Sequence, residues 1–578
     1  MGGKSMIIPA IHKFLVSITA LFLVAFFSLH LSRHHVLFTG HLDFPNIPTS
    51  NLTAAITLQY NNAVADDESQ PMLRNVSSLL HHHSVLLPDW EVLLIVPANN
   101  ESFDFFADYV CLFQNNATSP VTLSGPLSTD RFAFKCTMPN SVRRLRPFLQ
   151  PVMTKRLEKE ATQLVQMPEL YRWNFLVYES FSTENDVVLF AKGLNNRQGI
   201  NRSPSEFNCV FYHDSAKIVA VKTSITSSAQ EVFRCPHPNI TAPFISNDDD
   251  DDDDEDGEQK IKVSIEIISE NNLVVPSVTY YEPRQMPQSK SKSHLCASTM
   301  VYNAGKFLKE WVMYHSKIGV DKFILYDNDS SDDIKNVVQE LNDEGFDVTT
   351  IFWVWPKTQE AGFSHSAVHS KDSCTWMIYV DVDEFIYSPS WIDSSKPSKW
   401  MLKSLLPPLL PTDQSSDIGQ ISIRCNEFSP SSQRSHPIEG VTQGYTCRRN
   451  VEQRHKSIVL LDAVDPSLLN AIHHFRMNDQ YKTVTLSLDR AVVNHYKYQA
   501  WSEFQNKFRR RVSTYVVDWK EKANLGSNDR TPGLGFEAVE PEDWNQKFCE
   551  VRDERLKMVI RKWFGSRTSY GYKLAWQT

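Results

Sequence analysis

The 578 residues contain no Cys-x-x-Cys pair and no Cys/His spacing of the zinc-binding kind, so a structural zinc site has no support. Concentrated positive charge is missing too. The 59 Lys and Arg are dispersed against 68 Asp and Glu, a net charge of -9, which excludes nucleic acid as the expected partner. Residues 32–85 lack any sustained hydrophobic period and read as a stem, and 283–293, rich in Pro, Gln, Ser and Lys, reads as a linker. The Asp248 to Asp256 run is broken only by Glu255; so dense a like charge cannot pack on itself and belongs to a solvated loop.

What is present begins with an apolar stretch, Phe14 to Leu31, preceded by Lys4 and Lys13 and followed by Arg33. About 18 such residues just cross a bilayer. No small-x-small cleavage pattern follows it, so the expectation is an uncleaved anchor (tail 1–13, membrane helix 14–31) with the bulk of the protein lumenal, a single-pass type II arrangement. Sequons at Asn51, Asn75, Asn100, Asn116, Asn201, Asn239 and Asn328 agree with a secretory route. Nine cysteines fit an oxidising lumen and leave at least one thiol unpaired; proximity in sequence suggests Cys111–Cys136, Cys209–Cys235 and Cys425–Cys447.

Two textures divide the lumenal part. Residues 86–285 carry short β-type runs between turns, such as Trp90 to Val96, Val187 to Ala191 and Phe207 to Tyr212, with a helical period only over Val142 to Gln166. This predicts a β-sandwich-like domain, with Trp173 and Tyr212 as candidate sugar platforms or, more simply, core aromatics. Residues 290–578 alternate instead. Strands are predicted at 295–302, 322–326, 348–355 and 375–380, with helices at 306–318, 334–341 and 362–371 between them. Alternation of this kind requires parallel strands with right-handed crossovers, and ligands then sit beyond the strand carboxyl ends. Those ends carry Tyr302 and Asn303, then Asp327 and Asn328, then Lys357 and Gln359 with His365 behind them, then Asp381 and Asp383.

Asp381-Val-Asp383 follows six largely apolar residues and precedes Phe385, which argues against a solvated turn. Paired carboxylates in that place suit a hard divalent cation that shares its oxygen ligands with a diphosphate, the chemistry of a nucleotide-sugar transferase. A non-catalytic glycan-binding protein is the competing reading, and retention of both carboxylates favours catalysis.

The runs Val301-Tyr-Asn-Ala-Gly-Lys-Phe-Leu-Lys-Glu-Trp-Val-Met-Tyr-His315, Gly319-Val-Asp-Lys-Phe-Ile-Leu-Tyr-Asp-Asn328 with Ser330, and Asp381-Val-Asp-Glu-Phe385 together resemble glycosyltransferase family 92, whose plant members include β-1,4-galactan synthases. The likeness spans about 290 to 520. It implies a GT-A catalytic domain with a Rossmann-like mixed sheet, a UDP-sugar donor, a manganese-type ion, inversion at the anomeric carbon, an oligo- or polysaccharide acceptor and Golgi residence. It also implies a carbohydrate-binding sandwich ahead of the catalytic domain.

Asn303, Asp327 and Asn328 match the positions that meet the nucleotide, and Asp381 and Asp383 match the metal motif. The Asn494-His-Tyr-Lys497 element makes His495 the expected further metal ligand, ahead of His473 and His474. Where the family often has a Gly-rich turn this chain reads Asn426 to Ser432, so acceptor identity does not carry over. Lys357, Lys456 and the Lys507 to Arg511 group are candidate sources of positive charge. Gln359 and His365 are placed to read the donor sugar. Inversion requires a carboxylate near the acceptor hydroxyl, for which Glu427 is the candidate and Asp462 and Asp465 the rivals. Galactose from UDP-galactose is the favoured transfer, another UDP-sugar the alternative, and a homodimer is left open.

Overall fold

The computed structural model describes residues 83–98, 108–156, 167–195, 200–213, 219–239, 260–284, 291–407, 417–452, 454–506, 540–569 and 571–577. The anchor expected at 14–31, the acidic run and the Lys507 to Arg511 segment lie outside them. Among the described residues no helix is long and apolar enough to cross a membrane.

Beyond the linker the alternation appears as expected: β1 (Ser293–Val301), α1 (Gly305–Ile318), β2 (Lys322–Asp327), α2 (Ile334–Asp343), β3 (Val348–Phe352), α3 (Gln359–His369) and β4 (Cys374–Tyr379). The chain then adds β5 (Glu384–Tyr387), β6 (Ile418–Glu427), β7 (His455–Leu460), β8 (Lys482–Thr485) and β9 (Val492–His495). They form one nine-stranded sheet in the order β3-β2-β1-β4-β7-β6-β9-β5, with β8 beside β6. Neighbours from β3 to β4 run parallel, whereas β7 is antiparallel to both β4 and β6, so the sheet is mixed. The parallel register sets Val301 beside Asp327 and Ser298 beside Tyr379, which brings the carboxyl ends of β1, β2 and β4 to one edge.

One face of this sheet is covered by α1. Its apolar side places Phe307, Leu308, Trp311, Val312, Tyr314 and Ile318 in a core with Leu295, Phe323 and Ile378. Gly319 ends the helix at φ 138°, where a Cβ would lie 2.5 Å from the Lys399 carbonyl, so only glycine fits. Glu310, on the same helix, is buried; its carboxylate accepts from Val441 N (2.8 Å), Thr442 N (3.1 Å) and Thr442 Oγ1. Glu310 therefore serves as architecture.

The other face is covered by α3 and by the β region, which is two small β packs rather than one sandwich. In the first, a five-stranded sheet around Glu91–Pro97 shares a core with the sheet of Tyr109–Leu112 and Val152–Lys155, and Cys111–Cys136 joins them. In the second, the sheet of Asp186–Lys192 and Val232–Pro236 packs on that of Phe207–His213 and Ile261–Ile267, joined by Cys209–Cys235. The inner sheet of each pack is buried twice. Val92, Leu94, Val187 and Leu189 face the partner sheets, while Leu93, Ile95, Val188 and Phe190 face Tyr326 and Tyr379 of the nine-stranded sheet, Trp353 just after β3 and Phe363 of α3. Double burial explains why Glu91–Pro97 and Asp186–Lys192 are continuously apolar instead of alternating.

Trp173 belongs to this shared core: it is 5% exposed and stacks on Trp355 with 5.6 Å between centroids, so it is not a sugar platform. Over 142–156 the helix expected from Val142 to Gln166 is replaced by turns and the strand Val152–Lys155, and the rest of that span, 157–166, lies outside the described residues. Pro147 and Pro151 lack the N–H that a helix interior uses.

The pairing Cys425–Cys447 does not form. Cys447 bonds Cys549, Cys296 bonds Cys374 across β1 and β4, and Cys425 is a buried free thiol on β6. Cys425 points into the core of the sheet, while Cys447 sits on a separate two-strand ladder with Val551–Arg552, 102 residues from its partner in sequence.

Peptide mapping under denaturing, non-reducing conditions should find Cys425 as the single alkylated cysteine; a cross-linked 425–447 peptide would contradict this arrangement. Burial pushes the Glu310 carboxyl up to about 7 against the opposing hydrogen bonds from Thr442 and Val441. The folded protein then keeps a proton that the unfolded chain releases near 4.5, so the stability from this group is complete below that pH and is lost as pH rises through 7. Glu310→Gln should flatten the decline: between pH 5 and 7.5 the wild type should lose ~2–3 kcal/mol relative to the variant. A melting-temperature difference that is constant over this range would refute the assignment.

Candidate functional site

The loop after β4 turns tightly. Glu384 N donates to the Asp381 carbonyl (3.0 Å), and Asp381 N donates to Glu384 Oε2 (2.9 Å). This sets Asp381 and Asp383 at the carboxyl end of β4 and starts β5, which pairs with β9 in a register opposing Glu384 to His495. His495 Nε2 then lies 3.6 Å from Asp383 Oδ2, and its Nδ1 lies 3.4 Å from Glu384 Oε1. Tyr496 N donates to the Asp383 carbonyl (2.9 Å) and fixes the two strand ends together. Both side chains are largely withdrawn from solvent, at 9% exposed for Asp383 and 5% for His495.

Lys456 of β7 enters the same cluster from below. Its ammonium lies 2.7 Å from Glu384 Oε1 and donates to Asp381 Oδ2 (3.2 Å) and to His473 Nε2 (2.6 Å). Burial is the largest single influence and would raise the Asp381 carboxyl, but the neighbouring groups, Lys456 foremost, together hold it well below the usual carboxylate range. Burial would likewise lower Lys456, yet Asp381 and Glu384 hold its ammonium above the ordinary lysine value. Burial, and then Lys456, drive His473 far below the usual imidazole range, so it is neutral. Because Nε2 accepts from Lys456, the proton resides on Nδ1, a buried atom with no hydrogen-bond partner among the described residues. Burial raises the Glu384 carboxyl despite Lys456, and the two aspartates beside a single ammonium still leave the cluster short of positive charge.

The adjoining rim is laced by short polar contacts. Asn303, at φ 49°, donates its N–H to Ser330 Oγ (2.9 Å) and accepts at Oδ1 from Ser331 N (2.7 Å). Asp327 Oδ1 accepts from Ser330 N (2.9 Å). Tyr302 precedes Asn303 and is 38% exposed. Lys357, at φ 64°, and Gln359, the first residue of α3, form the loop after β3.

Three candidates fall elsewhere. Asn328 is a brace, because its Nδ2 donates to the carbonyls of Trp353 (2.6 Å) and Trp355 (3.2 Å), the atom that glycosylation would have to take. His365 points away from the rim: its Nδ1 meets the Tyr326 hydroxyl at 2.7 Å and its ring packs edge-on against Phe181, so it lies in the core beneath the β region. Glu427 is fully buried and accepts from Lys497 Nζ (2.6 Å) and the Tyr498 hydroxyl (3.2 Å), while Lys497 holds it below the usual carboxylate value despite burial. Both its oxygens are engaged and its basicity is reduced, so it anchors Lys497 instead of accepting an acceptor proton. The rivals are also engaged: Asp462 lies near Lys292 and Lys371, and Asp465 accepts from Ser467.

Sequence reasoning did not single out Glu384 as a member, and it ranked His473 below His495. Periodicity carries no signal for either, since a strand-start glutamate and a loop histidine are ordinary. Among the described residues no three His, Cys, Asp or Glu side chains form a ready cage for an ion. What is assembled is a pair of donors, Asp383 and His495, with Asp381 alongside, of the oxygen and imidazole type that manganese-like ions accept.

The profile of Glycosyltransferase family 92 matches residues 291–524. A family 92 protein of Oryza sativa subsp. japonica is 40% identical over 400 residues, 68% of this chain and 67% of the relative. One of Arabidopsis thaliana is 38% identical over 74% of this chain and 72% of its own length. One of Ricinus communis is 36% identical over 92% of this chain and 89% of its own length. Among solved structures, a mannosyltransferase of Pyrobaculum calidifontis in complex with GDP-Man and Mn2+ aligns at 11% identity and a TM-score of 0.24, covering 40% of this chain and 64% of that one. Glucosyl-3-phosphoglycerate synthase of Mycobacterium tuberculosis aligns at 14% identity and 0.18, covering 30% and 58%. The structural likenesses are too distant to bear on the site, but the sequence relatives decide the family: the chain belongs to glycosyltransferase family 92 and is a glycosyltransferase.

Proposed function

We propose that this glycosyltransferase moves a sugar from a UDP-sugar, galactose from UDP-galactose foremost, to a glycan such as cell-wall β-1,4-galactan, with inversion and with the aid of a divalent cation. The observation that carries the reading is the Asp383–His495 pair beside an Asp381 kept ionised by Lys456, at the edge where β1 and β2 also end. Asp383 and His495 would hold a manganese-type ion, with Asp381 completing the protein's share. When bound, such an ion supplies Lewis-acid stabilisation of the departing diphosphate.

The chain's own residues account for the rest. The Asn303–Ser330–Asp327 lacing fixes the two loops that receive the nucleotide, and the exposed Tyr302 ring offers a face for the base. Lys456, oriented by the His473 Nε2 that accepts from it, favours the deprotonated form of Asp381, so no proton has to leave before the donor enters. The apolar run at 14–31 and the sequons support a Golgi membrane anchor with the catalytic part in the lumen, Asn116 and Asn239 being exposed.

Purified lumenal protein should release UDP fastest from UDP-galactose when offered a panel of UDP-sugars with manganese and galactan oligosaccharides. Turnover with a different donor alone would replace galactose and leave the enzyme class standing. Asp383→Ala should lower kcat/KM by ~10²-fold or more while the melting temperature stays within a few degrees. EDTA should silence the wild type and added manganese should revive it; full activity of the variant would remove the metal assignment.

A further inference from the structure

Three loops at the catalytic rim are each held by a polar side chain from the β region. Lys135 reaches from the strand Arg131–Thr137 to Asp329 Oδ2 (2.7 Å), in the loop between Asn328 and Ser330. Lys192, at the end of Asp186–Lys192, donates to the Lys357 carbonyl (3.2 Å) in the loop after β3. Lys192 is itself paired with Glu231, which accepts from the Tyr178 hydroxyl (2.9 Å). Gln230 closes a two-bond lock on the backbone of Asn470: its Nε2 donates to the Asn470 carbonyl (2.8 Å) and its Oε1 accepts from Asn470 N (3.3 Å). Asn470 Nδ2 passes the tie on to Ser364 Oγ (2.8 Å), and three residues later the same loop delivers His473 to Lys456.

The shared aromatic core would hold the two parts together without these contacts, since Trp173, Trp355, Tyr178 and Phe190 already bury one another. The polar ties do something different: they specify loop conformation. Each of the three loops contains a residue in left-handed backbone, Asp329 at φ 65°, Lys357 at φ 64° and His473 at φ 63°. Side chains of this kind enter that region at a cost, and it persists where surrounding structure over-determines it.

We infer that the β region is a scaffold for the donor pocket, with Lys135, Lys192 and Gln230 acting as positioning residues for nucleotide-sugar binding. The inference rests on the reading of this rim as the donor site. It gives the β region a role in catalysis distinct from holding glycan: removing a tie loosens a loop that must be set before the donor can bind, and leaves the acceptor's site alone.

The test uses the full lumenal protein with manganese, measuring UDP binding by calorimetry and donor and acceptor KM separately. Lys135→Met and Gln230→Ala should each raise the donor KM and the UDP dissociation constant about tenfold, the scale of one lost charge-assisted or bidentate contact. Acceptor KM should stay within about twofold, and Lys135→Arg should restore donor binding by renewing the bond to Asp329. Lys222→Met, which breaks an ion pair with Glu266 on the outer β sheet, should leave both constants unchanged. Should Met fail to fold at position 135, Arg at that position and Gln230→Glu supply the comparison. Unchanged donor constants in the Lys135 and Gln230 variants, with UDP binding lost in Asp383→Ala, would overturn the scaffold role and keep the donor site. UDP binding untouched in Asp383→Ala as well would overturn the donor site itself, and a shift in acceptor KM alone would refute the inference.

Discussion

A single buried ammonium organises the edge proposed as the active site. Lys456 lies under the turn that carries Asp381 and Glu384, and without its charge three carboxylates would crowd a space largely closed to water. Removing one partner of such a buried set costs ~3–5 kcal/mol because the remaining charges are left uncompensated. Burial keeps His473 neutral and the same ammonium adds to it, while that ammonium also favours ionised Asp381, so one side chain bears on the protonation of two others. The cluster remains short of positive charge after that balance, which suits the divalent cation proposed above.

The sheet around this edge is stable because each of its faces has a cover. On one side α1 lays an aromatic stripe across the strands, and on the other α3 shares the task with two β packs. A core that spans residues from Val85 to Met477 makes the β region part of the catalytic body. Disulfides reinforce this plan where chain segments are far apart in sequence, as in Cys296–Cys374 and Cys447–Cys549, with separations of 78 and 102 residues.

Much of this was legible in the chain. The strand and helix positions from Ser293 to Tyr379 follow from period and turn residues, and the end-of-strand rule pointed to Asp327, Asp381 and Asp383. His495 came from resemblance, and the ladder with Glu384 shows how it reaches Asp383. Glu427, Asn328 and His365 misled for one reason: a polar residue after a strand looks the same in sequence whether it lines a cleft or braces its wall. Glu427 was taken by Lys497, Asn328 by two tryptophan carbonyls, and His365 by the aromatic seam.

The sequence by itself determined the alternation of strand and helix, the paired carboxylates and the family, because these depend on local period and on short contiguous motifs. Tertiary structure alone decided that Lys456, His473 and Glu384 meet Asp381, that Cys425 stays reduced, and that the β region grips the rim loops. Those contacts join residues as much as 240 positions apart, as in Gln230 and Asn470, and no local pattern encodes which distant side chain will arrive to compensate a buried charge or hold a strained loop.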